Sequence, residues 1–214
     1  MLSLIIPAYN EVESLEELHQ ELNSMLHSEG LEAEIVFIDD GSTDGSLDIL
    51  ASTYGLRKVD RVAKRSLATR AVRSVYGSLS HPNLILVDKE SGGKPDALNA
   101  AINISRYPLI CSVDADSIIE EDALLRVVTP FIAHPDETVA AGGIVRIING
   151  CQVEDGVVKS IALPDRGLPI LQAVEYLRGF LAGLLGLNAS LYLLISSGAF
   201  GFYRKETVIR SGGY

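Results

Sequence analysis

Ile35-Val36-Phe37-Ile38-Asp39-Asp40-Gly41-Ser42-Thr43-Asp44-Gly45-Ser46 is the stretch that decides the fold. Its first four residues are apolar and mostly β-branched or aromatic, the composition of a buried strand. They run straight into carboxylates, glycines and hydroxyls, which is turn chemistry. Leu47, Leu50, Ala51 and Tyr54 then recur at helical spacing. The same order precedes the stretch. Leu2 to Ile6 reads as a short buried strand that Pro7 ends, because proline cannot donate to a sheet ladder. Asn10 is expected to cap the next helix with Glu13 as capping-box partner, and Leu15, Leu18, Leu22, Met25 and Leu26 form its apolar stripe to about Ser28. Strand, helix, strand, helix implies parallel strands joined by crossover helices, an α/β fold with a mostly parallel central sheet flanked by helices.

Downstream, Arg57, Lys58, Arg61, Lys64, Arg65, Arg70 and Arg73 make a basic stretch opposed only by Asp60. It reads as a solvated connector, with a rim that attracts an anionic substrate as the sharper alternative. Leu84 to Val87 is another strand, followed by Lys89-Glu90-Ser91-Gly92-Gly93-Lys94-Pro95-Asp96-Ala97-Leu98-Asn99. Paired glycines admit close backbone approach, Pro95 suits a first helical turn, and Lys94 beside that helix N-terminus fits a phosphate cradle. The Gly-x-x-x-x-Gly-Lys-Ser/Thr spacing of a Walker loop is missing. Leu109, Ile110, Cys111 and Val113 form a strand that ends in Asp114-Ala115-Asp116. In an extended chain i and i+2 project to one side, so Asp114 and Asp116 are expected to face one point at the strand's end. Two like charges held close need a cation between them or a proton. A divalent ion such as Mg²⁺ satisfies both and fills its other positions with phosphate oxygens and water.

Past this point Leu124, Val127, Val128 and Phe131 mark a helix that Pro130 is expected to kink or shorten, with Glu120, Glu121 and Asp122 in its first turn. Val139 to Ile148 reads as a strand, and Asp155-Gly156 as the turn joining Cys151–Glu154 to Val157–Ile161 in a hairpin. Residues 179–203 hold no charge. Asn188, Ser190, Ser196, Ser197 and four glycines interrupt that run, so it reads as a helix and a buried strand near a membrane surface rather than a span.

The 214 residues suffice for one domain with a sizeable core, and 47% hydrophobic with 21% charged residues is a globular composition. The net charge of −10 argues against nucleic acid as a partner. Two cysteines, Cys111 and Cys151, suggest no disulfide framework and point to a reducing, cytoplasmic setting. No basic segment precedes Leu2, so no signal peptide is read there. His19, His27, His81 and His134 lack metal-ligand spacing and are expected to be solvated.

In this order the motifs resemble a glycosyltransferase family 2 catalytic domain, of the kind in bacterial poly-N-acetylglucosamine and cellulose synthases. Ile6-Pro7-Ala8-Tyr9-Asn10-Glu11 is similar to the opening nucleotide loop, and Asp39-Asp40-Gly41-Ser42-Thr43-Asp44 to the nucleobase-contacting turn. Gly92-Gly93-Lys94 is similar to the segment before the third helix, and Asp114-Ala115-Asp116 to the metal motif. Glu175-Tyr176-Leu177-Arg178, Ser197-Gly198-Ala199-Phe200 and Gly212-Gly213-Tyr214 resemble acceptor-side elements. The resemblance implies a GT-A fold in a single domain, residues 1–118 binding the nucleotide-sugar and 119–214 facing the acceptor. It implies a UDP-sugar donor held by Pro7, Ala8, Tyr9, Glu11, Asp39, Asp40, Lys94 and Ala115, with Mg²⁺ or Mn²⁺ on Asp114 and Asp116. Ser197, Gly198, Gly212 and Gly213 would line the side of a carbohydrate or lipid-linked acceptor. Family members continue into a Thr/Gly-Glu-Asp motif that carries the general base, then a Gln-x-x-Arg-Trp motif and membrane helices. The base is therefore expected beyond Tyr214, and a catalytically incomplete donor-binding module is the alternative. Tyr9 as a packing residue, Lys94 as a surface lysine, Asp39 and Asp40 as helix caps, and Glu175–Arg178 as a helix pair are the plain readings of the same positions.

Overall fold

The computed structural model describes residues 1–61, 64–154, 157–184 and 198–214. In chain order the elements are β1 (Leu2–Ala8), α1 (Leu15–Ser28), β2 (Ala33–Asp39), α2 (Ser46–Thr53), β3 (Arg57–Lys58), β4 (Val72–Gly77), β5 (Leu84–Lys89), α3 (Lys94–Ile104) and β6 (Leu109–Val113). Then come α4 (Ala123–Ala133), β7 (Ala140–Gly142), β8 (Gln152–Glu154), β9 (Val157–Ser160), α5 (Gly167–Tyr176) with a π-helical continuation (Leu177–Leu184), β10 (Phe200–Arg204) and α6 (Lys205–Arg210). Two compact units result, Met1–Ser117 with Phe202–Tyr214, and Ile118–Gly201.

The first unit is built on a sheet whose strands run β3-β4-β5-β2-β1-β6-β10. β5, β2, β1 and β6 are mutually parallel, while β4 is antiparallel to β5 and β3 to β4. Apolar runs without alternation are explained by cover on both faces. Val36, Ile38, Ile85 and Val87 pack with Ala97, Leu98, Ala101 and Ile102 of α3. On α1, Leu15, Leu18, Leu22 and Met25 are buried, and His19 approaches Phe37 of β2 at 6.2 Å between ring centroids. The chain moves outward from β1 to β2 and β5, then returns to the other side of β1 as β6. Such a reversal of direction opens a crevice at the carboxyl ends of the strands, the preferred ligand position in parallel α/β sheets.

Several expectations change. Asn10 does not cap α1, which begins four residues later behind Ser14. Asn10 instead takes a left-handed conformation (φ 58°) and bonds across to the turn after β2. The caps read for Asp39 and Asp40 are also displaced, because α2 starts at Ser46, whose N–H and hydroxyl donate to Asp44 Oδ1 at 3.0 and 2.5 Å. His19 is buried rather than solvated. Its ring packs at a tilt against Tyr54 with centroids 4.2 Å apart, and burial, then His81, lower its pKa to about 4. Only the ends of the basic stretch enter the sheet, Arg57 and Lys58 as β3 and Arg73 in β4, while Arg61, Lys64, Arg65 and Arg70 lie on the connection between them.

In the second unit α4 continues three residues past Pro130, so the proline sits in its last turn, where the Pro130 carbonyl accepts from His134 N–H at 2.9 Å. The strand expected over Val139 to Ile148 shrinks to Ala140–Gly142. The hairpin forms, β8 antiparallel to β9, with its Asp155-Gly156 turn outside the described residues. No residue of α5 is buried. Most of the run read as a helix and strand before Gly198 also lies outside them, Ser197 included. Among the described residues no helix is long and apolar enough to cross a membrane.

Candidate functional site

The acidic and glycine-rich motifs of the first unit meet where β1, β2, β5 and β6 end. Register alone dictates part of this, since Asp39 pairs with Ala8 on one side and Asp88 on the other. The loop after β1 is stitched to the turn after β2. Asn10 N–H donates to Ser42 Oγ at 3.0 Å, Thr43 N–H to Asn10 Oδ1 at 2.8 Å, and Val12 N–H to Asp44 Oδ2 at 3.1 Å. Asp40 N–H donates to the Ala8 carbonyl at 2.9 Å. Pro7 is half-buried, Glu11 is half-buried with its carbonyl accepting from Ser14 and Leu15, and Tyr9 projects into solvent at 55% exposure. Tyr9 therefore does not pack beneath the loop.

Asp39 and Asp40 are both buried. Asp39 Oδ2 accepts from Ser42 N–H at 3.3 Å, while Oδ1 is buried without a hydrogen-bond partner among the described residues. A buried acceptor with no donor is costly unless a ligand supplies one. Burial is the main cause that raises the Asp39 pKa, and the Asp88 charge adds to it against the Ser42 bonds. Asp40 is satisfied by the protein. Its carboxylate accepts from Gly92 N–H at 3.0 Å, Gly93 N–H at 2.7 Å, Ser91 Oγ at 3.3 Å and the Lys89 ammonium. The glycine amides read as a phosphate cradle are thus turned toward an internal anion.

Lys89, fully buried, also lies 2.6 Å from Asp96 Oδ1. Arg70 N–H donates to Asp96 Oδ2 at 2.9 Å and its guanidinium to the Ser91 carbonyl at 2.7 Å. Arg73 bridges Asp88 at 2.9 Å and the Lys89 carbonyl at 2.7 Å. The arginines that end the basic stretch therefore brace the glycine loop. Gly41 (φ 82°) is pressed against that loop, and a Cβ there would lie 3.3 Å from Ser91. Sequence reasoning gave no role to Lys89, Asp96 or Asp88. The signal was available in Lys89, because a lysine that prolongs an apolar strand must find a partner.

Asp114 and Asp116 do not continue an extended strand. β6 ends at Val113, and Ser117 N–H donates to the Asp114 carbonyl at 3.1 Å, so the motif is a turn. Asp114 is half-buried and ion-paired with Lys94, Ala115 is buried, and Asp116 is exposed. Among the described residues no three His, Cys, Asp or Glu gather. Two carboxylates on one turn, one of them paired with the Lys94 ammonium, are the ligand types that a hard divalent ion takes alongside phosphate and water. At the other end of the chain, Gly213 (φ 87°) lies against α3, where a Cβ would come within 2.4 Å of Asn99 Oδ1. Asn99 exchanges two hydrogen bonds with the Tyr214 backbone, at 3.0 and 3.2 Å. Gly212 is exposed beside it, and Gly198 is exposed in the second unit.

The parallel core, with acidic turns at its carboxyl edge beside the reversal point, has the GT-A fold of the glycosyltransferases of known structure that it resembles. The chain belongs to glycosyl transferase family 2, whose family profile matches residues 3–154. Over 214 residues it is 24% identical to poly-beta-1,6-N-acetyl-D-glucosamine synthase of Staphylococcus aureus (strain COL), covering 99% of this chain and 41% of that protein. It thus spans about two fifths of that curated relative. Its fold is similar to a mannosyltransferase from Pyrobaculum calidifontis solved with GDP-Man and Mn²⁺ (TM-score 0.61, 19% identity, 100% of this chain and 47% of that one). It is also similar to S. aureus TarS 1-349 in complex with UDP-GlcNAc (TM-score 0.56, 19% identity, 98% and 47%).

Proposed function

We propose that this chain binds a UDP-sugar together with Mg²⁺ or Mn²⁺ and serves an inverting transfer of the sugar to a carbohydrate or lipid-linked acceptor. The observation that carries the reading is the partnerless buried oxygen of Asp39, set at the carboxyl edge of the sheet that also bears the Asp114–Asp116 turn. Asp39 Oδ1 accepts an N–H of the base or a ribose hydroxyl and so gains the donor it lacks. Tyr9 offers an exposed ring face at the rim. Asp114 and Asp116 hold the metal, which when bound offsets the negative charge that builds on the departing diphosphate. Lys94 passes its ammonium from Asp114 to a phosphate oxygen. Gly212 and Gly213 lie on the acceptor side, and the uncharged sequence 179–203 supports association of the protein with a membrane surface.

UDP-GlcNAc is the first donor to test, since relatives named for that sugar support it. Calorimetric titration of UDP is expected to show binding at least about tenfold tighter with Mn²⁺ than with EDTA. Binding that ignores the metal removes the assignment of Asp114 and Asp116. Donor binding without sugar transfer to any offered acceptor would make the chain a donor-binding module.

A further inference from the structure

Asp39 and Asp40 are adjacent in sequence and opposite in use. Asp39 keeps an oxygen without a partner, whereas each contact of the Asp40 carboxylate is internal. Through Gly92 and Gly93, Asp40 fixes the loop that enters α3. Through Lys89 it is tied to Asp96 on the first turn of α3, and the Lys89 ammonium also donates to the Glu90 carbonyl at 2.6 Å. Lys94 lies between Gly93 and Asp96, so its backbone is held on both sides by this network.

We infer that Asp40, acting through buried Lys89 and the Gly92–Gly93 amides, is a positioning residue that sets the height of Lys94 for the diphosphate and is not itself a nucleotide ligand. The inference rests on reading this cleft as a nucleotide site. A helix N-terminus preceded by free amides attracts anions. Here that attraction is spent on Asp40, so a phosphate cannot use the same N–H groups. The phosphate end of the donor is left to Lys94 and the Asp114–Asp116 turn. Burying one lysine with two carboxylates is a poor source of stability compared with apolar packing, and fixing one geometry is the use that remains for it.

The test compares Asp40→Asn with Asp39→Asn on the folded chain, titrating UDP, GDP and inorganic pyrophosphate in the presence of Mn²⁺. Asp40→Asn should weaken all three by a common factor of about tenfold, because it moves the phosphate-binding lysine. Asp39→Asn should weaken UDP and leave pyrophosphate within about twofold, since it touches only the nucleoside. Affinities unchanged in Asp40→Asn, or a loss that falls on UDP alone, overturn the proposal. If Asp40→Asn does not fold, hydrogen exchange on the nucleotide-free wild-type protein decides. Slow exchange at both Gly92 and Gly93 amides supports the internal anion, and exchange at the rate of open loops overturns it. Failure of the wild-type chain to bind any nucleoside diphosphate would instead sink the proposed function, and the exchange measurement would still stand.

Discussion

Two acidic turns close the strands that flank β1 in the same sheet, Asp39-Asp40 after β2 and Asp114-Ala115-Asp116 after β6, and they solve the problem of paired carboxylates in different ways. After β2 both side chains are buried, and the protein supplies a buried lysine, two backbone amides and a hydroxyl to one of them. After β6 the carboxylates stay in contact with solvent, and among the described residues the countercharge paired with Asp114 is the half-exposed Lys94. Charge that the fold balances itself becomes architecture. Charge that it leaves to water and a movable lysine is available to a ligand. Asp39 stands between these cases, buried like its neighbour but with one oxygen left over.

The sharpest break of this contrast is Lys89→Met. It strands Asp40 and Asp96 without their cation, and urea denaturation should show a loss of about 3–5 kcal/mol. A loss below about 1 kcal/mol would mean that the turn after β2 is no more internally balanced than the one after β6. Asp116→Ala addresses the other turn. Unfolding stability should stay within about 0.5 kcal/mol, because the side chain is exposed. Mn²⁺-dependent UDP affinity should fall about a hundredfold, as expected when an ion loses one of two protein carboxylates. Asp39→Asn probes the intermediate case. Its folded pKa lies above the unfolded value because of burial first and Asp88 second. The folded state thus takes up that proton more readily, and ionisation costs stability as pH rises past the unfolded value. Asp39→Asn should accordingly raise the melting temperature at neutral pH, lose that advantage near about pH 3, and weaken UDP about tenfold. The smallest effect belongs to Lys94→Met. Removing a partly exposed ion pair should let Mn²⁺ alone bind about two- to fivefold tighter, read by paramagnetic resonance, while UDP with Mn²⁺ binds more weakly.

The parallel core was legible because strands covered on both faces leave unbroken apolar runs, as in Leu2–Ile6, Ile35–Ile38 and Leu84–Val87. The third helix was legible from Gly-Gly-Lys-Pro. What escaped is tertiary. Asn10 looks like a cap in sequence, yet its side chain and left-handed backbone serve a turn more than thirty residues away. Lys89 looks like the solvated end of a strand until two acids from other elements close over it. His19 sits four residues from Leu15 and three from Leu22, within the apolar stripe of α1, so its burial could have been read from spacing. The Asp-x-Asp motif was found, but alternation was assumed past the point where β6 ends. In the second unit the pattern is weak: the expected strand stops at Gly142, and the next glycine lies against the Phe200 ring, whose Cδ1 would be 2.6 Å from an added Cβ.

The short outermost strand has its own consequence. β3 is two residues long, Arg57 and Lys58, and both are exposed. A sheet that ends in a long bare ladder invites other molecules to stack on it and seeds fibres. Here the last rung is brief and doubly cationic, so a second copy approaching that margin meets like charge before it meets free backbone, and the protein is protected against clumping along that side when concentrated.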